Sequence, residues 1–407
     1  MSFDGIKKIL VIKLRHIGDV LLATPVFRAL KETFPDAHIT ALVNSGTEDI
    51  LKGNPLIDEI LVMDRSVKRL SPVKRYAKEI AFIKKIRANG FDMTVDLTGG
   101  DRAAIISFAS GARYRLGWKS QKGFIGKRYI YTHLSEPDGE KHMVLQNLEV
   151  VSQFRINTEN LSVDFFVPEE DRIYVRKILK ENSVDENANI AHIHPTSRWL
   201  FKCWKDEYMA EIIKWLLDNN AIVIVTSSPD RIEMEKARRI LSLVGDSPDS
   251  TNPPSPPFTK GGMGGLLGQS PHGSRLLDLC GKITIKQLGA ISEASDLFFG
   301  VDSAPMHIAA AVGTPVVALF GPSGAFHWGP WENQKTKDRR QKTEKSPYSN
   351  RNGIQTFGIH TVIQRNWECI PCGKDGCKGS KISRCLEDIG HEEVKSILSE
   401  RLEGIKK

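Results

Sequence analysis

Phe299-Gly300-Val301-Asp302-Ser303-Ala304-Pro305-Met306-His307-Ile308-Ala309-Ala310-Ala311-Val312-Gly313-Thr314-Pro315-Val316-Val317-Ala318-Leu319-Phe320-Gly321-Pro322 reads as a strand end, a polar turn, a short helix, a glycine stop and a second strand. The flanking apolar runs suit a parallel sheet covered on both faces, which puts the polar residues at a strand's carboxyl end. Asp302, Ser303 and His307 then gather at a helix N-terminus, where unpaired N–H groups and the helix dipole favour an anion such as a diphosphate. The competing reading is that Asp302 or Ser303 only caps the helix.

The same alternation runs outward from this stretch. Residues 7 to 14 form an apolar strand pattern, followed by the turn Arg15-His16-Ile17-Gly18-Asp19 and a helix expected from about Val20 to Thr33. Strand patterns follow at His38 to Val43, Glu59 to Met63 and Met93 to Leu97, with an amphipathic helix from Pro72 to Ala88. A second series begins at Ala188 to His194, continues through a helix near Glu207 to Asp218, and returns to a strand at Ala221 to Thr226. Two α/β series predict two doubly wound parallel sheets, with a boundary near residue 160 between helical Glu140 to Phe154 and extended Leu161 to Pro168. The domains expected are therefore 1–160 and 161–407, with ligands in the cleft between them.

A chain of 407 residues exceeds what one hydrophobic core usually serves, which agrees with two domains. Hydrophobic content of 40% and charged content of 26% place it among soluble globular proteins and exclude a disordered or membrane-embedded chain. No apolar region with a cleavage site opens the sequence, so no secretory signal is expected, and no segment is long enough to span a bilayer. Net charge is +8, but Arg65 to Arg128 alone carries sixteen Lys and Arg against four acids. That basic stretch suits nucleic acid, anionic lipid or a phosphorylated substrate, and charge alone does not choose among them.

Two stretches interrupt the second half. Ser247 to Ser274, with its Pro and Gly runs, reads as a disordered insertion before a strand at Leu276 to Cys280, and the basic Asn333 to Gly353 reads as a mobile loop. Of six cysteines, Cys369, Cys372, Cys377 and Cys385 cluster near the end while Cys203 and Cys280 lie apart. Their spacing departs from a paired Cys-x2-Cys zinc framework, so structural or free thiols are the favoured reading.

Three positions suggest chemistry. Asp19, after the first strand, is placed to take a proton from a hydroxyl attacking an activated carbon, or else to cap the helix beginning at Val20. The turn has only Gly18 where a dinucleotide fingerprint needs three glycines, which disfavours a nicotinamide enzyme. After the first strand of the second half, Thr196 and Ser197 can donate to phosphate oxygens, and Arg198 or Lys202 can neutralise a departing diphosphate. The alternative there is a loop whose tryptophans cover the core. Asp230, ending another strand, could accept from ribose hydroxyls or serve as a cap.

Lys13-Leu14-Arg15-His16-Ile17-Gly18-Asp19-Val20, His194-Pro195-Thr196-Ser197-Arg198 with Lys202, and Asp302-Ser303-Ala304-Pro305-Met306-His307 together resemble the ADP-heptose:lipopolysaccharide heptosyltransferases of glycosyltransferase family nine. The pattern Thr-Ser-Arg-Trp-x-x-Lys-x-Trp from Thr196 to Trp204 resembles their lipopolysaccharide heptosyltransferase III type. The resemblance implies an α/β GT-B architecture: two Rossmann-like domains, acceptor on the N-terminal one and nucleotide sugar on the C-terminal one. It implies inverting transfer of L-glycero-D-manno-heptose from ADP-heptose to the lipopolysaccharide inner core, with no metal and no other cofactor. Asp19 is then the general base and Lys202 the cation at the leaving diphosphate. Thr196, Ser197 and Arg198, with Asp302, Ser303, Ala304, Met306 and His307, form the donor pocket, and Asp230 lies toward the nucleoside.

The basic N-terminal half then fits a phosphorylated acceptor and a peripheral location at the cytoplasmic face of the inner membrane. Transfer from another ADP-sugar, a nucleic-acid-binding protein and a sugar-nucleotide-binding protein without catalysis are the alternatives. The second lacks interleaved aromatic platforms and a recognition helix, and Asp19 with Lys202 argues against the third.

Overall fold

Every residue of β1 (Lys8–Lys13) after the first is buried, because an aliphatic run of this kind is the centre of a sheet covered on both faces. The computed structural model describes residues 3–119, 123–245, 275–333 and 347–405. Around β1 stand β2 (His38–Asn44), β3 (Glu59–Met63), β4 (Met93–Asp96), β5 (Tyr114–Trp118) and β6 (His133–Ser135), all parallel, in the order β3-β2-β1-β4-β5-β6. Val11 sits opposite both Ala41 and Val95, so the register keeps β-branched and small side chains in layers.

The second sheet repeats the scheme with β7 (Ile190–His194), β8 (Ile222–Val225), β9 (Leu276–Asp278), β10 (Leu297–Val301), β11 (Val316–Leu319), β12 (Gln355–Phe357) and β13 (His360–Ile363). Its order is β12-β13-β11-β10-β7-β8-β9. With antiparallel β12 set aside, each sheet counted from its own first strand runs 3-2-1-4-5-6. The chain direction reverses beside β1 and beside β7, and ligands of open α/β sheets bind at the carboxyl ends of such switch points.

The expected helix from Val20 to Thr33 is two helices, Ile17–Leu21 and Thr24–Thr33. Pro25 has no N–H to give to the Leu21 carbonyl, and the Thr24 hydroxyl donates to that carbonyl instead at 2.9 Å, which breaks the helix there. Residues 347–353 of the expected mobile loop are packed: the Tyr348 ring is buried and its hydroxyl donates to Pro330 O at 2.7 Å. Residues 334–346 of that loop and the Ser247 to Ser274 insertion lie outside the described residues.

An extended strap near residues 156–167 crosses between the sheets and is gripped from both sides. From the first half, Arg28 donates to Asn160 O and Ser162 O at 2.8 Å each and to the Asp164 carboxylate. From the second, Asn333 brackets Val163 with two 2.8 Å bonds, and Trp331 donates to Leu161 O at 3.0 Å. Val163, Phe165 and Val167 share one hydrophobic core with Ile9, Leu30, Ile291 and Trp331, so burial of apolar surface holds the two sheets in one packing. No helix among the described residues is long and apolar enough to cross a membrane.

Candidate active site

The carboxyl ends of β1, β7 and β10 open into one cleft of about 660 Å³. From the first half it is lined by His16, Gly18, Asp19 and Arg65, and from the second by Thr196, Ser197, Arg198, Lys202, Glu233, Asp302, Ser303, Ala304 and His307.

The turn after β1 is fixed by Thr98, whose hydroxyl accepts from Leu14 N at 2.8 Å and donates to Ile12 O at 3.2 Å. Helix Ile17–Leu21 starts three residues earlier than the spacing predicts, so Asp19 stands inside its first turn. There one carboxylate oxygen accepts from His16 N at 3.3 Å, a long contact that leaves the carboxyl group free to accept from a ligand. Behind it lies Lys13, buried at the end of β1, with its ammonium donating to Leu97 O at 2.9 Å and Asn147 Oδ1 at 2.8 Å. Burial lowers the Lys13 pKa to about 8, and Asp19 is the largest influence opposing that fall. Lys13 is read from sequence only as a strand residue; its burial shows it to be the cation backing Asp19.

On the facing wall, the turn Leu200–Lys202 presents the Lys202 ammonium to the Asp302 carboxylate at 2.6 Å. The loop is tied down by Trp204, buried with its indole N–H on Ile389 O at 3.1 Å, and by Ser383, whose hydroxyl donates to Phe201 O at 2.6 Å. The loop thus has a buried tryptophan at Trp204 and a lysine, Lys202, on the cleft wall. Asp302 spends its charge on Lys202 rather than on a cap, and Ser303, at the N-cap of helix Ala304–Ala311, makes no capping bond with its side chain. Ser303 Oγ and His307 Nδ1 are buried polar atoms without partners in the protein, which is unusual and suits a ligand in the cleft. Burial lowers the His307 pKa to about 4, against the opposing charges of Asp302 and Asp19, so its imidazole is neutral at pH 7.

Gly18 and His307 bring the two walls together. A Cβ on Gly18 would stand 3.0 Å from His307 Cδ2 and 3.8 Å from the Ala304 Cα, so only glycine lets helix Ile17–Leu21 approach helix Ala304–Ala311 this closely.

Two of the expected residues, Asp230 and Met306, lie outside the cleft lining, and a third, Thr196, lines it with its hydroxyl already engaged. Thr196 is fully buried and its hydroxyl donates to Glu233 Oε2 at 2.9 Å, so its proton is engaged within the protein. Asp230 is exposed and accepts from Ile232 N at 2.9 Å, capping helix Arg231–Gly245 outside the cleft. Met306 packs in the core against Phe298 and Phe320, because the position after Pro305 faces the sheet. The carboxylate that does line the cleft from this region is Glu233, half a turn inside the helix, where burial raises its pKa against hydrogen bonds from Thr196 and Ser228. Its signal in the sequence was faint: a glutamate three residues after Asp230 on an otherwise charged helix. Arg198 is exposed at the rim, its guanidinium 5.4 Å above the Trp199 ring.

All six cysteines are free, and among the described residues no group of three or more His, Cys, Asp or Glu side chains is arranged to hold a metal ion.

The model of glycosyltransferase family 9 (heptosyltransferase) matches residues 80–248 and 267–354. The chain belongs to this family. Among family 9 relatives, lipopolysaccharide heptosyltransferase 3 of Escherichia coli is 30% identical over 346 residues, covering 81% of this chain and 92% of its own length. The family 9 glycosyltransferase of Veillonella parvula superposes with a TM-score of 0.71 at 18% identity, covering 99% of this chain and 98% of that one. ADP-heptose lipopolysaccharide heptosyltransferase II of E. coli gives 0.69 at 18% identity over 98% of this chain and all of that one. An E. coli heptosyltransferase solved with ADP gives 0.63 at 15% identity, over 97% and 99%. The two Rossmann-like halves are thus the GT-B architecture of family 9, and the protein is a glycosyltransferase.

Proposed function

We propose that this family 9 enzyme transfers L-glycero-D-manno-heptose from ADP-heptose to a hydroxyl of the lipopolysaccharide inner core, with inversion. The observation that supports this most is the pairing, in one cleft, of a half-buried carboxylate, Asp19, on the N-terminal wall with an ammonium, Lys202, held by Asp302 on the C-terminal wall. Relatives named lipopolysaccharide heptosyltransferase 3 match most of the chain.

In this reading Asp19 accepts the proton of the acceptor hydroxyl as its oxygen forms the bond to the anomeric carbon. The bond from that carbon to the diphosphate oxygen breaks, and ADP departs with the electron pair onto Lys202, Ser197 and the N-terminus of helix Ala304–Ala311. Lys202 supplies the positive charge at the leaving group, so the reaction needs no metal. Ser303 Oγ and neutral His307 Nδ1 gain partners from the donor. Arg65 faces the phosphorylated acceptor, and the protein works peripherally at the cytoplasmic face of the inner membrane.

Offering the purified protein several nucleotide sugars and defined core acceptors, then determining the product's mass and linkage, tests this. One added heptose of inverted configuration from ADP-heptose is expected. Preference for another ADP-sugar, or hydrolysis without transfer, contradicts it.

A further inference from the structure

Among the described residues, nothing covers the first half of helix Pro72–Ala88. Residues 72–78 are all exposed, and of the whole helix only Ile86 is buried. Yet its exposed turns carry Val73, Tyr76 and Ile80 at helical spacing on one face, 80%, 67% and 54% exposed. Six cations and one acid occupy the same helix, and that acid, Glu79, is paired with Arg75 and Arg102.

The Arg102 contact ties this helix to Asp101–Ala109, which exposes Phe108, and Lys127 in turn donates to Gly99 O at 2.6 Å beside that helix. The segment around Lys127 exposes Ile125 completely and Tyr129 by 72%, with the Arg128 guanidinium 4.7 Å above the Tyr129 ring. Three neighbouring elements thus present large apolar side chains among cations. A soluble surface does not ordinarily concentrate apolar residues this way, and apolar residues interleaved with Lys and Arg are the chemistry of helices that lie in a lipid interface.

We propose that this face, formed by helix Pro72–Ala88 with Phe108, Ile125 and Tyr129, docks on an anionic lipid bilayer. Two arguments select lipid over a protein. Cations such as Lys74 and Lys78 complement an anionic headgroup layer, and the helix follows directly on the 3-10 turn Arg65–Arg69, whose Arg65 lines the cleft. The face therefore continues from the cleft rim, which places an acceptor anchored in the bilayer within reach of Asp19. The inference rests on the reading that the acceptor is lipopolysaccharide.

Cosedimentation of the full-length protein with vesicles of phosphatidylglycerol and phosphatidylethanolamine, against vesicles of phosphatidylcholine alone, tests the docking face. The wild type is expected to bind the anionic vesicles and lose that binding in high salt. Lys74→Gln with Lys78→Gln is expected to lower partitioning about thirty-fold at low ionic strength, and Tyr76→Ser, Ile80→Ser and Ile125→Ser together at least about ten-fold. Melting temperature and transfer to a soluble, delipidated core oligosaccharide are expected to stay at wild-type values in both variants. Variants that bind anionic vesicles as the wild type does overturn the proposal, as does a wild type indifferent to lipid charge, or a triple variant that changes only self-association. Failure of transfer to soluble core with docking intact would instead count against the acceptor assignment alone.

Discussion

The Lys202 ammonium and the Asp302 carboxylate, one hundred residues apart in the chain, meet at 2.6 Å on the C-terminal wall of the cleft, the lysine partly exposed and the aspartate buried. The pair holds a cation with few degrees of freedom in the cleft, and under the proposed function that is where ADP departs. Preorganised charge of this kind is worth about 3 kcal/mol in the transition state. Lys202→Ala is therefore expected to lower kcat by 10²–10³, whereas Asp302→Asn, which keeps a hydrogen-bond acceptor, is expected to lower it about tenfold. Steady-state kinetics with ADP-heptose checks both. A Lys202→Ala defect confined to acceptor KM contradicts the role.

Gly18 and His307 supply a test of how closely the walls must approach. Gly18→Ala puts a Cβ at 3.0 Å from His307 Cδ2 and is expected to lower stability by about 1 kcal/mol and to reduce turnover. Removing the ring in a Gly18→Ala, His307→Ala double variant should return the lost stability but not the turnover. A double-mutant cycle by chemical denaturation reads the coupling, and strictly additive losses would show that the two positions do not touch.

Thr196→Val removes one of the two hydroxyls that bond buried Glu233 while keeping the shape. Losing one hydrogen bond to a buried carboxyl group that keeps Ser228 as a partner costs about 1 kcal/mol. The expected result is a lower midpoint in urea together with weaker ADP binding by calorimetry. Unchanged stability would mean that the Ser228 hydrogen bond alone satisfies Glu233.

The pH dependence of stability has a definite sign. Burial lowers His142 and His194 to about 3 and His307 to about 4, below the usual imidazole value of 6.5. Between that value and the lowered ones the unfolded chain binds protons that the native protein does not. Stability is then complete above about pH 6.5 and falls as pH drops toward 4. His142 accepts from Val144 N and donates to Gly329 O at 2.9 Å, so it ties the two halves as a neutral ring. Melting temperatures from pH 7.5 to 4.5 should decline, and His142→Gln should decline less steeply, though from a lower start. A flat wild-type profile over that range contradicts this.

Much of the architecture was legible because parallel strands advertise themselves. The runs at β1, β10 and β11 are apolar on both faces, β7 carries two buried histidines on one of them, and the polar turns after β1, β7 and β10 mark the cleft. Helix Pro72–Ala88 matched its pattern end to end, but its pattern did not say that residues 72–78 would all be exposed among the described residues. What stayed hidden depended on contacts distant in sequence. The break at Ala23 needs Thr24 to capture a carbonyl that Pro25 cannot reach, and the exchange of Asp230 for Glu233 depends on which carboxylate the helix turns inward. Met306 lies inside a motif whose other members face the cleft, and only the packing of its helix on the sheet separates it from them.

Asp19 carries the central claim, that one carboxylate on the N-terminal wall removes the acceptor proton while the opposite wall receives ADP. Single-turnover transfer by Asp19→Ala, with ADP-heptose affinity measured in parallel, tests it most directly. The account predicts a rate lowered by about 10²–10⁴, with affinity within a few fold of the wild type. Transfer at or near the wild-type rate would contradict it.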